Sequence, residues 1–321
     1  MTALVEELID QQLRPKNLSE FIGQNTVRAQ LTTVLGAAKK ENRSPDHILF
    51  SGPPGLGKTS LALIVAAETG TNLRLTSGPA IGHQGDLAAI LSSLQAGELL
   101  FIDEIHRLSR PVEEMLYLAM EDLRIDIVVG KGPGATAVSL DLPPFTLIGA
   151  TTKGGALPAP LRDRFGFTAY MDFYSEEELA IIVKKSAHKL GVLVDESAAG
   201  LIAARSRGTP RIANRLLGRA RDLAVVSDSK QVTTDLAEAA MKLFGIDRIG
   251  LERLDLSVLR FLANSGRAVG LRTIANSIGE DAETIESMVE PYLLRLGLIT
   301  RGVRGRSITP AGQAHLGHTG D

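Results

Sequence analysis

The chain has no cysteine and no tryptophan among its 321 residues. Without a thiol there is no disulfide and no thiolate metal site, and a reducing compartment is compatible with it. Aromatic residues make up only 4%, so stacking on bases is a poor basis for any dominant nucleic-acid contact. No apolar run approaches the length that crosses a bilayer. The opening Met1-Thr2-Ala3-Leu4-Val5-Glu6-Glu7 lacks the basic-then-apolar order of an export signal. The expectation is a cytoplasmic protein with no membrane partner. Neither sign of charge is in excess, the formal net charge being −2, so any polyanion-binding surface must be sought in local clusters. No internal repeat or low-complexity tract stands out, and the length suits two or three domains.

What is present centres on Gly52-Pro53-Pro54-Gly55-Leu56-Gly57-Lys58-Thr59, which satisfies G-x-x-x-x-G-K-[ST]. Residues 48–50 before it read as a buried strand, and 61–67 after it as a helix. Between them the glycines leave backbone N–H groups free to wrap a phosphate at a helix N-terminus, where the helix dipole favours negative charge. Lys58 then reaches toward β- and γ-phosphates, and the Thr59 hydroxyl toward Mg²⁺. Further on, Leu99-Leu100-Phe101-Ile102 ends in Asp103-Glu104. That is a buried parallel strand with carboxylates at its C-terminal end, the edge where open α/β sheets bind ligands. Asp103 suits a magnesium shell, and Glu104 suits polarising an attacking water. His106 is either a relay or, the favoured reading, a surface or capping histidine. Residues 144–152 form another buried strand ending in hydroxyls, Thr151 and Thr152, able to sense a γ-phosphate. Arg162 and Arg164 just beyond either ion-pair at the surface or supply a cation to phosphoryl transfer. Made across a subunit seam, that cation is worth roughly 10³ to 10⁵ in rate.

The rest of the chain reads more coarsely. Ser19 is placed to cap a helix carrying Val27, Leu31, Val34 and Leu35. Arg14-Pro15 before it is extended, either a packed arm or a clamp on a base. Residues 72–76 read as a strand, 86–94 and 115–123 as helices. Strands at 125–129 and 137–140 flank the glycine turn Gly130-Lys131-Gly132-Pro133-Gly134, a surface hairpin or a partner-docking device. Ser175 with Glu178 opens a helix as a capping box, and the region to about 245 is all-α. Pro210 sits well in a first helical turn. Arg211 then lies near a helix N-terminus, where the dipole does not ask for a cation; a phosphate-facing role stands beside a solvated basic face. Helical patterns at 256–262, 271–278 and 282–296, the last with Asp281 as cap, precede two strand-like pieces about a Gly-Arg turn. This is the pattern of a winged helix-turn-helix. From Pro291 to Gly320 there is no acid, while Arg295, Arg301, Arg304 and Arg306 are present. Such a patch suits the phosphate backbone of nucleic acid, although winged helices also contact proteins.

Taken together, these strings resemble the AAA+ ATPases, and within them the RuvB family of bacterial Holliday-junction branch-migration motors. The resemblance spans essentially the whole chain. It rests on Gly52 to Thr59, on Leu100-Phe-Ile-Asp-Glu-Ile-His-Arg-Leu108, on Leu142-Pro-Pro-Phe-Thr-Leu-Ile-Gly-Ala-Thr-Thr152, on Pro160-Leu-Arg-Asp-Arg-Phe-Gly166 and on Arg207-Gly-Thr-Pro-Arg-Ile-Ala-Asn-Arg215. It implies an α/β fold: an AAA+ P-loop NTPase domain with a parallel sheet over 1–174, a small all-α lid domain over 175–245, and a C-terminal winged-helix domain over 246–321. It implies ATP and Mg²⁺ as cofactors. Gly55, Gly57, Lys58, Thr59 and Ser60 hold ATP, with Thr59 and Asp103 on the metal. Leu13 and Arg14 lie by the base, and Asp103 and Glu104 are the Walker B acids. Glu121, Asp122 and Leu123 match a segment at the nucleotide interface. Thr151 or Thr152 is the sensor threonine, and Arg164 is the arginine finger given to a neighbour. Tyr174 and Arg211 contact nucleotide from the lid side, and Arg301 and Arg306 contact DNA from the wing. The implied partners are a homo-hexamer, double-stranded DNA at Holliday junctions, RuvC in a resolving complex, and RuvA, gripped by the hairpin around 130–137. Ala282, where the family often has a basic residue, and Ile81-Gly82-His83-Gln84, where it usually has a lysine, depart from the pattern. A protein-remodelling AAA+ machine and a nucleotide-switched DNA-binding regulator draw on the same residues.

Overall fold

The strands, numbered along the chain, are β1 (Ile48–Ser51), β2 (Leu73–Ser77), β3 (Leu99–Asp103), β4 (Arg124–Val129), β5 (Thr136–Asp141), β6 (Thr146–Thr151), β7 (Phe167–Tyr170), β8 (Leu193–Val194), β9 (Gln231–Val232), β10 (Ile299–Gly302) and β11 (Gly305–Ile308). They are those of a computed structural model, which describes residues 12–129 and 136–318. Five of the strands form one parallel sheet in the order β2-β3-β6-β1-β7. The uninterrupted apolar runs take its middle positions. β1 and β6 are buried along their whole length, as strands covered on both faces must be. Leu87, Leu100, Ile102, Leu116 and Leu147 meet in the core between this sheet and the helices Gln84–Ser92 and Arg110–Asp122. Each such side chain contributes about 1.5–3 kcal/mol by leaving water.

The chain groups into two compact units: residues up to Ile182 together with Thr209–Arg211, and Val183–Gly208 together with Ile212 onward. In the first, the register sets Ser51 beside Thr151 and Ser77 beside Asp103, so the strand ends bearing functional residues line one sheet edge. β7 extends the sheet beyond β1 and is a strand the sequence pattern did not suggest. The N-terminal helix runs Asn25–Lys40, and Ser19 does not cap it. Gln24, with φ 50°, is its N-cap and makes no side-chain cap bond, while the Ser19 hydroxyl donates to Asn17 Oδ1 at 2.7 Å. β4 and β5 pair antiparallel as expected. Residues 130–135 of the expected hairpin turn lie outside the described residues. Ser175 does build its capping box: its N–H donates to Glu178 Oε2 at 3.0 Å, and the Glu178 N–H donates to its Oγ at 3.2 Å.

The second unit holds most of the helical lid, whose start up to Ile182 and Thr209–Arg211 group with the first, and the winged-helix domain. The lid is helical apart from the two-residue parallel pairing of β8 with β9. Leu259, Leu262, Ile274, Leu293 and Ile299 form the core of the winged domain. Its first two helices are Arg253–Ser265 and Leu271–Ile278. The third is broken: Ala282–Thr284, a π-turn over Ile285–Val289, then Glu290–Arg295. Pro291 explains the break, since it has no N–H to give and its ring crowds the carbonyl one turn back. Asp281 is the N-cap residue but makes no side-chain cap bond. A final helix, Pro310–His318, was not apparent in the sequence.

Candidate active site

The loop after β1 owes its shape to glycine. Gly55 and Gly57 take φ +80° and +101°, left-handed values that side-chained residues resist. A Cβ on Gly55 would lie 3.2 Å from Arg211 Cβ, and one on Gly57 would press the Phe21 ring at 3.3 Å. The helix that follows, Lys58–Thr69, starts with no side-chain cap bond and no acid in its first turn, so its leading N–H groups face the loop. Thr59 and Ser60 present half-buried hydroxyls at that start.

Lys58 is 8% exposed, and its ammonium donates to Gly52 O at 2.9 Å and Pro53 O at 2.8 Å. Burial pulls its pKa down to about 8; the charge on Asp103 pulls the other way and that on Arg211 adds to the fall. Asp103 and Arg211 thus lie near enough to Lys58 to bear on its charge. The Arg211 N–H donates to Gly55 O at 3.4 Å. The Tyr174 hydroxyl donates to Leu56 O at 3.1 Å, its pKa raised by burial. Leu13 is buried and Arg14 half-buried.

Glu104 follows β3 with φ 47°, rare for a side-chained residue. Its N–H donates to Asp103 Oδ1 at 2.9 Å, and its Oε2 accepts from Arg107 at 3.3 Å. Backbone held in this region costs about 1–3 kcal/mol and persists where surrounding structure imposes it, commonly at functional sites. His106 is half-buried, and instead of capping a helix its Nδ1 lies 3.0 Å from Thr151 Oγ1. Burial, the largest influence, lowers its pKa. Thr151 is fully buried and also accepts from the Lys153 N–H at 3.0 Å, whereas Thr152 is exposed.

Arg164 points elsewhere. It donates to the Tyr117 hydroxyl at 2.9 Å, lies 4.9 Å over that ring and pairs with Glu121 at 2.6 Å. Glu121 and Asp122 are exposed, Asp122 pairing with Arg124 at 3.6 Å, and Leu123 is half-buried with φ 50°. Tyr117 was missed by the sequence reading, though an aromatic four residues before Glu121 on one helix is a legible neighbour.

The wing needs a correction. Arg301 and Arg306 pair across β10 and β11 and so share a face, but they differ in exposure. Arg306 is buried and forks onto the buried Glu290, with Nη2 to Oε2 at 3.0 Å and Nε to Oε1. Its guanidinium is committed within the domain and does not present itself to a phosphate. Arg301 is exposed, held 3.2 Å from Glu286 and 3.5 Å from Glu290. Arg304 lies exposed at the tip. The acid-free run from Pro291 concealed these carboxylates, which sit just before it. His83 finds a structural place: its Nδ1 accepts from the Asp86 N–H at 3.2 Å and caps the helix Gln84–Ser92.

Among the described residues no three His, Cys, Asp or Glu side chains cluster as a metal site. A magnesium ion held by phosphates, one hydroxyl and one carboxylate asks for no such cluster, and Thr59 with Asp103 fits that pattern. Likewise among the described residues, no helix is long and apolar enough to cross a membrane.

Comparison with known proteins adds the lineage. Three family models match in succession: the Holliday junction DNA helicase RuvB P-loop domain over residues 13–171, the RuvB AAA lid domain over 174–247 and the RuvB C-terminal winged helix domain over 248–317. The Holliday junction branch migration complex subunit RuvB of Streptomyces avermitilis is 58% identical over 98% of this chain and 89% of its own length. The corresponding subunit of Thermobifida fusca is 57% identical over 99% of this chain and 91% of its own. The solved structure of the Thermotoga maritima RuvB Holliday junction branch migration motor superposes with a TM-score of 0.87 at 46% identity, covering 95% of this chain and 98% of that one.

Proposed function

The chain belongs to the RuvB family of AAA+ ATPases, and on that premise we propose that it is an ATP-driven motor for branch migration of Holliday junctions in recombination and repair. It works as a hexameric ring on duplex DNA, in the cytoplasm, with RuvA and, in the resolving complex, RuvC. The observation that supports the reading is Lys58 buried on the carbonyls of the glycine loop, with Asp103 and Arg211 near enough to bear on its charge, in a chain whose family models match in succession between residues 13 and 317.

The residues divide the work as follows. N–H groups of the loop through Gly55 and Gly57 and the Lys58 ammonium hold the phosphates of ATP, with Ser60 beside them. Leu13 and Arg14 border the base. Magnesium, held by Thr59 and Asp103, offsets phosphate charge when bound. Glu104 orients and deprotonates the attacking water, and Thr151, with Thr152 beside it, reads the γ-phosphate. Tyr174 and Arg211 make nucleotide binding depend on lid position, so the two lid positions differ in affinity and hydrolysis shifts their balance. Arg164, with Glu121, Asp122 and Leu123 at the same seam, completes the site of the adjacent protomer. We assign the three domains to 1–174, 175–245 and 246–321, and the hairpin around 130–137 to RuvA. On DNA, Arg301 is the phosphate contact from the wing, and Arg306 supports it through Glu290.

The deciding experiment is ATP-dependent dissociation of a synthetic four-way junction, with and without RuvA. Dissociation in the parent, lost in Lys58→Ala and in Glu104→Gln, is the expected result. A junction left intact under every condition overturns the motor reading.

A further inference from the structure

We propose that Arg207 is a positioning residue that welds the lid to the winged-helix domain, so that the two move as one body. The inference goes beyond the motor reading and rests on it only for its mechanical consequence.

Arg207 follows the lid helix Glu196–Ala204, and its backbone takes φ +54°. Nothing local favours that value for arginine, so the surroundings hold it there. Its side chain is almost entirely withdrawn from water, and every group it meets belongs to the connector or to the winged domain. Nε donates to Gly250 O at 2.8 Å. Nη2 donates to Asp255 Oδ2 at 2.6 Å and to Glu252 Oε1 at 3.3 Å, and Nη1 to Asp255 Oδ1 at 3.4 Å. The guanidinium also lies 4.9 Å over the Tyr292 ring. One lid side chain thus engages the connector, the first winged-domain helix and the segment Glu290–Arg295.

The receiving side is built for it. Asp255 is buried, and besides the fork it accepts the Glu252 N–H at 2.7 Å in a capping box. A buried carboxylate of this kind needs a partner, and Arg207 is the cation set against it. Burial raises the Asp255 pKa while Arg207 opposes the rise. Gly250, with φ +80°, has no room for a side chain, because an added Cβ would run into Arg205 O. Glu252 also accepts from Arg215, on the lid helix Pro210–Val226, so a second lid element holds the same acid. Lysine could not reproduce the planar fork or the stacking.

The chain sequence gives the weld its consequence. Two residues after Arg207, Thr209 opens the segment whose Arg211 N–H donates to Gly55 O. A change at Arg211 therefore reaches a welded lid and winged domain together. Without the weld, lid movement would be partly lost in the connector around Gly250.

The absence of cysteine makes a direct test simple. Lys242 in the lid and Met288 in the winged domain are both exposed, and cysteines there take a pair of spin labels. In a Glu104→Gln background, we expect a single narrow lid-to-wing distance, the same with ATP and with ADP. Arg207→Lys should broaden it. Tyr292→Leu, which keeps the fork but removes the ring beneath it, should broaden it less. With Glu104 restored, both variants should keep DNA-free ATP turnover within about two-fold, while junction dissociation per ATP falls at least about ten-fold in Arg207→Lys. A broad distance distribution in the parent overturns the weld, and so does a narrow one that survives in both variants. Collapse of DNA-free turnover in folded Arg207→Lys would place the residue in the nucleotide site instead. A parent with the expected distances but no junction activity would refute the motor reading and leave the weld standing.

Discussion

Lys58 keeps its charge in surroundings that disfavour it, with a pKa pulled down to about 8 chiefly by burial. A polyphosphate beside it favours the ammonium, so binding raises that pKa and takes up a proton once the free lysine has begun to lose its own. Nucleotide affinity should be level below pH 8 and fall about ten-fold per unit above it, until the bound-state pKa is passed. Calorimetry of the Glu104→Gln protein with ATP, in two buffers of different ionisation heat, reads the proton uptake directly. Lys58→Arg, which does not titrate in this range, should flatten the profile; an equally steep profile would move the titration to another group. The wing arginines separate by the same kind of reasoning. Arg306→Ala leaves the buried Glu290 carboxylate only the longer contact with Arg301 and should cost up to about 3–5 kcal/mol in urea unfolding. Arg301→Ala breaks an exposed pair with Glu286, worth about 0–1 kcal/mol, and a longer contact to Glu290, which keeps its fork with Arg306. It should instead lower the slope of log affinity for duplex against log salt by about 0.9. An unchanged slope would turn the wing toward a protein partner.

At the scale of elements, the turn after β3 depends on a close approach that side-chain patterns do not reveal. A Cβ on Gly78 would lie 2.5 Å from the Glu104 carbonyl oxygen, a backbone atom with little freedom to retreat. Gly78→Ala should therefore displace the left-handed Glu104. The expectation is a fall of about 10²-fold in ATP turnover, the scale of a 1 Å misplacement. Nucleotide affinity should stay within a few-fold, because Lys58 and the loop are not displaced. Turnover at the parental rate would mean that the φ of Glu104 is not needed for catalysis. Legibility divides along the same line. β1, β3 and β6 were readable because buried parallel strands are plain apolar runs, and the loop because only glycine tolerates its φ values. β7 was not, being four residues at the sheet edge with mixed burial and no clear alternation. The third winged-domain helix read as continuous because apolar spacing carries across Pro291, although the backbone there widens into a π-turn. Arg306 with Glu290 and Arg207 with Asp255 are pairings over 16 and 48 positions, and no local rule links residues so far apart. The same limit hid the bond between His106 and Thr151, which joins two strand ends 45 positions apart.

For the whole molecule, the decisive question is whether catalysis belongs to one chain or to a seam between two. Within its own chain Arg164 is occupied with Tyr117 and Glu121, not with Lys58 or Asp103. A role in phosphoryl transfer therefore asks for a neighbour's nucleotide. Two inactive variants make the test. Arg164→Ala keeps the water-activating Glu104 but offers no cation; Glu104→Gln keeps the cation but cannot activate water. In freely mixed rings at equal amounts, a seam works only where an Arg164→Ala site faces the finger of a Glu104→Gln neighbour. Half of the sites meet half of the fingers, so activity should recover to about a quarter of the parental rate, from a finger contribution of about 10³ or more. Recovery should follow the product of the two variants' fractions, so that it peaks at equal amounts and vanishes when either is present alone. If Arg164 served its own chain, no mixing ratio would restore turnover, because neither protein would contain a complete site.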